Sequence, residues 1–108
     1  MGSMWYLDSG ASFHMTGDKE LFSYLEEKDL QMPIDMGDDG QYNATDIGTI
    51  TFERVSGKPF LLKDVIHVPG LNKNLVSVAM LEDRGFDIVS SDGRAFLRHK
   101  TMGQTKRI

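Results

Sequence analysis

Three glycine-containing turns, each between two strand-like runs, constrain the fold of this chain more than any other feature. The turns are Gly37-Asp38-Asp39-Gly40, Ser56-Gly57-Lys58 and Ser90-Ser91-Asp92-Gly93-Arg94. Short loops with Asp-Gly or glycine between apolar runs are typical of β-hairpins, because glycine adopts the positive φ angles that tight turns require. The sequence therefore predicts three hairpins in a chain built mainly of short strands.

The runs beside these turns give the positions of the strands. We expect strands at residues 5–8, 32–36, 47–55, 59–68, 75–78, 86–89 and 95–98, while residues 41–46 are polar and no element is predicted there. Apolar residues at 21, 22 and 25 have helical spacing and predict a short helix at 19–25. Residues 79–84 predict a second helix that ends at Gly85. The fold class is therefore all-β, a small closed barrel or sandwich with one or two short helices.

The bulk properties describe an ordinary globular chain with an acidic balance. Its 108 residues suit one domain, and a net charge of −4 gives no basic surface for nucleic acid or an anionic membrane. No apolar run is long enough to span a membrane, and the absence of cysteine excludes disulfides and cysteine-ligated metals. We interpret residues 1–4 as an expression-tag remnant, 5–100 as the domain and 101–108 as a flexible tail.

The strongest candidate for chemistry is Asp8, which directly follows the apolar run Trp5-Tyr6-Leu7 and precedes Ser9-Gly10-Ala11. This pattern predicts a buried strand that ends in a carboxylate on a tight turn. Taken alone, Asp-Ser-Gly is more often a simple turn or cap. Two carboxylates that share one proton can act as acid and base together. Because the chain contains one Asp-Ser-Gly, the second carboxylate would have to come from another copy across a two-fold axis.

Metal-binding readings of the other polar residues are weaker. Asp35, Asp39, Gly40 and Asp46 match positions 1, 5, 6 and 12 of a calcium loop, but position 3 is Gly37 and the bidentate glutamate is missing. His14, His67 and His99 lack the close spacing of zinc ligands and are better explained as packing or surface residues. We therefore expect a solvated acidic hairpin, with neither a metal nor an organic cofactor.

Several motifs in order resemble the protease segment of copia-type (pseudovirus) retrotransposon polyproteins. The matching stretches are WYLDSGASFHMTGDKELFSYLEE (5–27), GDDG (37–40), IGTITF (47–52) and LLKDVIHVPGLNKNLVSVAMLEDRGF (61–86). The resemblance runs from Trp5 to about Leu97 and reverses the preference for a simple turn at Asp8. It implies a homodimeric aspartic endopeptidase with the retropepsin type of closed β-barrel. Such an enzyme would cleave its own Gag-Pol-like polyprotein, in the cytoplasm within a virus-like particle.

The resemblance also implies roles for individual residues. Asp8 would be the catalytic aspartate, Ser9 would tie the two active-site loops together, and Gly10 would allow their close approach. The substrate-binding residues would be Ala11 and, in a flap at about residues 34–47, Met36, Gly37, Asp38, Asp39 and Gly40. Asp38 and Asp39 suggest tolerance of basic residues in the substrate.

Two further expectations concern the later part of the chain and the alternative function. Ser77 stands where the superfamily usually has a glycine before its helix, and the 86–98 hairpin would supply part of the dimer interface. The alternative to an enzyme is a catalytically silent, domesticated module for dimerisation or peptide binding.

Overall fold

The structure is a computed structural model that describes residues 4–37, 40–53, 57–91, 94–99 and 105–107, with the backbone alone from residue 88 onward. In the first half of these ranges the strands are β1 (Tyr6–Asp8), β2 (His14–Thr16), β3 (Tyr24–Glu26), β4 (Met32–Asp35), β5 (Gln41–Ala44) and β6 (Asp46–Phe52). The second half contains β7 (Phe60–His67), β8 (Asn74–Ser77), β9 (Phe86–Ser91), β10 (Arg94–His99) and β11 (Thr105–Arg107). A 3-10 turn at Lys19–Leu21 and the helix α1 (Val78–Asp83) complete the described elements. The chain is therefore mostly β with little helix, as predicted.

The main sheet has six strands in the order β1-β8-β2-β7-β6-β3. β8 lies between β1 and β2, which are consecutive in the chain but do not pair with each other there. It runs parallel to β1, with Asp8 in register with Ser77, and antiparallel to β2, with Met15 opposite Leu75. The loop that joins β1 to β2 therefore passes over the end of β8.

The three predicted hairpins are confirmed by the strand pairing. β4 pairs with β5, β6 with β7 and β9 with β10, all antiparallel. β5 lies in the polar segment where no strand was predicted. Its inward positions are nevertheless regular, because Tyr42 is half-buried and Ala44 is fully buried. Alternation of this kind is enough to form one face of a hairpin.

The predicted helix at 19–25 is wrong beyond its first turn. The 3-10 turn is capped by Asp18, whose carboxylate accepts a hydrogen bond from the Glu20 amide, and it ends at Leu21. Ser23 then donates its amide to the Thr49 carbonyl at 3.0 Å, and Tyr24 pairs with Thr49 to begin β3. Pairing with β6 therefore overrides the helical spacing of the apolar side chains. The second predicted helix is confirmed as α1, shifted by one residue.

Two apolar clusters form the core on opposite sides of β7. The first consists of Ala11, Met15, Ala44, Ile66, Val68, Leu71 and Leu75, with Met32, Ile34 and Met36 of the β4 region packed against it. The second consists of Ile50, Leu62, Val65, Val76 and Leu81, with Trp5 and several phenylalanines around it. The successive residues Val65 and Ile66 face different clusters because side chains alternate along a strand. The first cluster supports the hairpin of β4 and β5 above the loop that follows β1.

The main sheet has open edges in the described ranges. β1 and β3 lie at its two ends, so the closed barrel that was predicted is not found there. The prediction that β1 is buried is also wrong, because an edge strand is covered on one side only. Tyr6 is 51% and Leu7 39% exposed, while Trp5 packs edge-on against Phe52 at a ring distance of 5.4 Å.

The segment expected to be a flexible tail contributes a strand to the separate three-stranded sheet. Thr105–Arg107 forms β11 and pairs antiparallel with β10. No helix in the described ranges is long and apolar enough to cross a membrane.

Candidate functional site

Asp8 ends β1 and begins a tight turn that its own side chain closes. The Gly10 amide donates to Asp8 Oδ1 at 2.8 Å, and the Ala11 amide donates to the Asp8 carbonyl at 3.4 Å. Asp8 is half-buried, whereas Ser9 and Gly10 are exposed. The second carboxylate oxygen is therefore available to a group outside the turn, while the first fixes the orientation of the side chain.

A cleft of about 470 Å³ opens beside this turn. One wall is the loop from Asp8 to Phe13 and the other is β4 with Met36, the next residue along the chain. Met15 and Leu75 of the first core cluster add apolar surface to that of the two walls. The cleft therefore combines a carboxylate with an apolar surface, which is typical of a site that binds an organic ligand.

The structure brings together four of the residues predicted for the site. Asp8, Gly10, Ala11 and Met36 all line the cleft. Ser9 lies in the same turn as Asp8 but does not line the cleft. Gly37 and Gly40, in the hairpin, do not line it either. Asp38 and Asp39 lie outside the described residues.

The ends of the hairpin turn are held by backbone hydrogen bonds. Met36 donates to the Gly40 carbonyl at 2.9 Å, and Gly40 donates to the Gly37 carbonyl at 3.1 Å. Gly37 has a φ of 64° and Gly40 a φ of 103°, and residues that carry a side chain rarely adopt such positive φ angles. Glycine at both positions therefore allows the chain to reverse directly beside Met36 and the cleft.

Sequence reasoning missed several residues of the cleft, of which Asp35 is the most informative. The sequence indicates Asp35 only as a weak calcium-loop position and as part of the flap range 34–47, yet Asp35 lines the same cleft as Asp8. Asp35 Oδ1 accepts a hydrogen bond from the Gly37 amide at 2.8 Å, which repeats the arrangement of Asp8 and Gly10. The other missed residues are Ser12, Phe13, Met15, Pro33, Ile34 and Leu75. The alternating pattern of residues 32–36 predicted the strand that carries Pro33 and Ile34, but not that this strand lines the cleft.

Two buried polar residues hold the Asp8 loop from below. The Ser77 hydroxyl donates to the Ala11 carbonyl at 2.7 Å, and the Ser77 amide donates to His14 Nδ1 at 2.9 Å. Burial, with a smaller contribution from the Arg84 charge, lowers the pKa of His14 from 6.5 to about 4, and the Asp64 charge acts in the opposite direction. His14 is therefore neutral above this pH, and it is a packing residue as predicted, because it is 1% exposed.

A second polar group lies at the base of the hairpin, where β5 leads into β6. The Thr45 hydroxyl donates to Asp46 Oδ2 at 2.7 Å, and His67 Nδ1 lies 3.5 Å from the same oxygen. The Thr45 hydrogen bond is the main cause of a lowered pKa at Asp46, with a smaller contribution from His67. Within the parts of the chain that the structure describes, no three histidine, aspartate or glutamate side chains are grouped to hold a metal ion.

Comparison with known proteins shows which family this chain matches. The family described as "Pol polyprotein, beta-barrel domain" matches residues 5–86. A retrovirus-related Pol polyprotein from transposon TNT 1-94 of Nicotiana tabacum is 34% identical over 85 residues, which cover 79% of this chain and 6% of the relative. The corresponding polyprotein from transposon RE1 of Arabidopsis thaliana is 34% identical over 84 residues, covering 71% of this chain and 5% of the relative.

The matched region includes β1 to α1 and therefore every residue that lines the cleft. The chain spans about one twentieth of the length of these relatives. No solved structure matches it significantly. On the extent of the family match, the chain belongs to the β-barrel domains of retrotransposon Pol polyproteins.

Proposed function

We propose that this domain is an aspartic endopeptidase of the retropepsin type, which acts as a homodimer and cleaves the polyprotein that contains it. The observation that carries the proposal is the Asp8 turn, which presents a half-buried carboxylate to a cleft between a loop and a hairpin. The names of the two relatives support the substrate class, because each is a Pol polyprotein.

The chemistry requires two carboxylates that share one proton. Asp8 supplies one, and the partner subunit's Asp8 would supply the other across a two-fold axis. One carboxylate takes a proton from water as the water attacks the scissile carbonyl. The other, protonated, polarises that carbonyl and then protonates the leaving amine. The dyad therefore takes one proton from water, gives one proton to the leaving amine and ends with one shared proton, as it began.

The hairpin of β4 and β5 is proposed as the flap. Its apolar side chains Met32, Ile34 and Met36 pack on the first core cluster, and Met36 and Asp35 line the cleft. A peptide in this cleft would lie between the Asp8 loop and β4, where backbone groups can bind it as an added strand. Closure of the flap would exclude bulk water from the reacting carbonyl.

The exposed edge of the main sheet supports dimerisation. Tyr6 and Leu7 expose apolar surface immediately before Asp8, on a strand that lies at the end of the main sheet among the described strands. Exposed apolar groups on an open edge favour association with another chain. Contact between two copies at this edge would also bring the two Asp8 turns toward each other.

The test is cleavage of a polyprotein substrate by the wild type and by the Asp8→Asn variant. Asn keeps the shape of the side chain but cannot share a proton, so we expect a loss of at least about a thousandfold in kcat/KM with the fold unchanged. Asp83→Asn, at an exposed position on α1, is the matched control and should cleave like the wild type.

A parallel measurement separates this proposal from the silent module. Binding of a pepstatin-like inhibitor is followed together with sedimentation of the same samples. An enzyme cleaves substrate and binds the inhibitor as a dimer. A chain that dimerises and binds peptide without any cleavage would instead support the non-enzymatic module, and activity in Asp8→Asn near that of the wild type would reject the proposed dyad.

A further inference from the structure

Beneath the cleft, buried hydrogen bonds connect His14 to the loop that carries Asp8. His14 is 1% exposed, and Ser77 is fully buried. The hydrogen bond from the Ser77 amide to His14 Nδ1 joins residues that are 63 positions apart. A buried polar contact over such a distance fixes the relative positions of two strands, because leaving either group unpaired is costly.

Ser77 transmits this position to the loop. Its hydroxyl has one proton, which it donates to the Ala11 carbonyl at 2.7 Å, and it accepts the Met80 amide at 3.1 Å. One side chain therefore connects the loop, the end of β8 and the first turn of α1. Ser77 is also in register with Asp8 on the neighbouring strand, so a shift of Ser77 would displace the loop on both sides of Gly10.

The contact requires a particular form of the imidazole. Because the Ser77 amide donates to Nδ1, that nitrogen must carry a lone pair rather than a proton. The charged groups that act on His14 are Arg84, directly after α1, and Asp64 on β7. Arg84 and Asp64 also form an ion pair with each other, which moderates the field that each exerts on the imidazole. Protonation of Nδ1 would abolish the acceptor and release the Ser77 amide.

We propose that His14 is a positioning residue, which holds the Asp8 loop in its working geometry through the amide and hydroxyl of Ser77. This role deepens the proposed function and, for its effect on cleavage, rests on it. His14 is not itself a lining residue of the cleft, although its chain neighbours Phe13 and Met15 are, and the side-chain contact that connects it to the loop is the hydrogen bond to Ser77. Displacement of a reacting group by about 1 Å can reduce the rate about a hundredfold.

Two substitutions of His14 distinguish the effect of its hydrogen-bond acceptor from the effect of its side-chain size. In His14→Leu the acceptor is lost at a similar size, and we expect kcat to fall about 10- to 100-fold with little change in KM. In His14→Asn the Oδ1 atom lies near the position of Nδ1, accepts the same amide and does not titrate, so most of the activity should return. Ser77→Ala should resemble His14→Leu, and the double variant should lose little more than either single one.

A second measurement does not depend on cleavage and can be made on the inactive Asp8→Asn chain. The NMR resonances of the Ala11 and Ser77 amides are followed with pH, beside the His14 ring. We expect both amides to shift with the His14 titration, and the shift to disappear in His14→Asn.

The two measurements distinguish failure of the inference from failure of the proposed function. Ala11 and Ser77 amides that ignore the His14 titration would overturn the positioning role, as would a folded His14→Leu variant with wild-type kcat. If the wild type cleaves nothing but its Ala11 and Ser77 amide resonances shift with the His14 titration, the proposed protease function is rejected. The role of His14 in holding the loop then stands.

Discussion

Ser77 is in register with Asp8 across the parallel pair of β1 and β8, and its hydroxyl holds the Ala11 carbonyl three residues beyond that aspartate. The candidate site is therefore supported by a strand that is distant in sequence. Because Ser77 also caps α1, any change at this residue affects the loop and the helix together. This arrangement links the stability of the domain to the geometry of its carboxylate.

Mixing wild-type and Asp8→Asn chains tests whether one site needs two subunits. If each dimer requires both aspartates, random pairing in an equal mixture leaves about a quarter of the dimers active, whereas a monomeric enzyme would keep about half of its activity. Cleavage rates are measured after the mixture has equilibrated. Mixing with Asp83→Asn is the control and should leave the rate unchanged.

Charge on the exposed edge should weaken the proposed dimer. We expect the double variant with Tyr6→Asp and Leu7→Asp to raise the dimer Kd at least about tenfold, because it removes apolar contact and opposes like charges across a two-fold axis. Tyr24→Asp is the matched control, since Tyr24 is 63% exposed on β3 at the opposite edge of the same sheet. Sedimentation equilibrium that gives the same Kd for both variants would contradict the placement of the interface.

The buried imidazole should make stability depend on pH. The pKa of His14 is lowered from 6.5 to about 4, so between these values the unfolded chain binds more protons than the folded chain. Stability is then complete above about pH 6.5 and decreases as the pH falls toward about 4, by roughly 3 kcal/mol in total. Urea unfolding across this range measures the effect, and the slope should be much smaller in His14→Asn.

A second group accounts for acid sensitivity at lower pH. The pKa of Asp46 is lowered from 3.8, so its stabilising contribution is present above that value and is lost as the pH falls below it. The losses of stability caused by His14 and by Asp46 therefore occur in adjacent pH ranges, and the His14→Asn variant, which lacks the first, separates them. An unfolding free energy that stays constant from about pH 7 to about pH 4 in the wild type would rule out the effect assigned to His14.

Close packing of β3 on β6 should make Gly48 sensitive to substitution. A Cβ atom at Gly48 would overlap the Tyr24 carbonyl and would lie 2.8 Å from Phe22 Cδ2. We expect Gly48→Ala to reduce the free energy of unfolding by about 1–3 kcal/mol. Thr49→Ala, at the next position of β6, should cost less than about 1 kcal/mol. Equal losses in the two variants would argue against this close approach.

Local patterns predicted the parts of the fold that depend on neighbouring residues. The glycines at 37 and 40 identified a hairpin because their φ angles follow from local geometry. The apolar residues at 21, 22 and 25 were misleading, since the pairing of Tyr24 with Thr49 decides their structure. Residues 41–44 look polar in sequence, yet Ala44 is fully buried because it packs in the first core cluster.

The candidate site was predictable to the same extent. Asp8, Gly10 and Ala11 form a recognisable local motif, and Met36 lies beside a recognisable turn. No local pattern connects His14 to Ser77, because their contact exists only once β8 has entered the sheet. Asp35 was recognisable as acidic, but its place in the cleft depends on how the hairpin packs on the core.

The insertion of β8 between β1 and β2 has a consequence for the order of events during synthesis. The turn at Asp8 is synthesised before the strand that supports it, which ends at Ser77, so the segment between them must be made before the turn is supported. Closing such a long loop is slow compared with forming a hairpin. A nascent or truncated chain that stops before residue 74 would contain Asp8 but lack β8, the strand that supports its loop. Any activity that depends on Asp8 would therefore begin only after the domain is nearly complete.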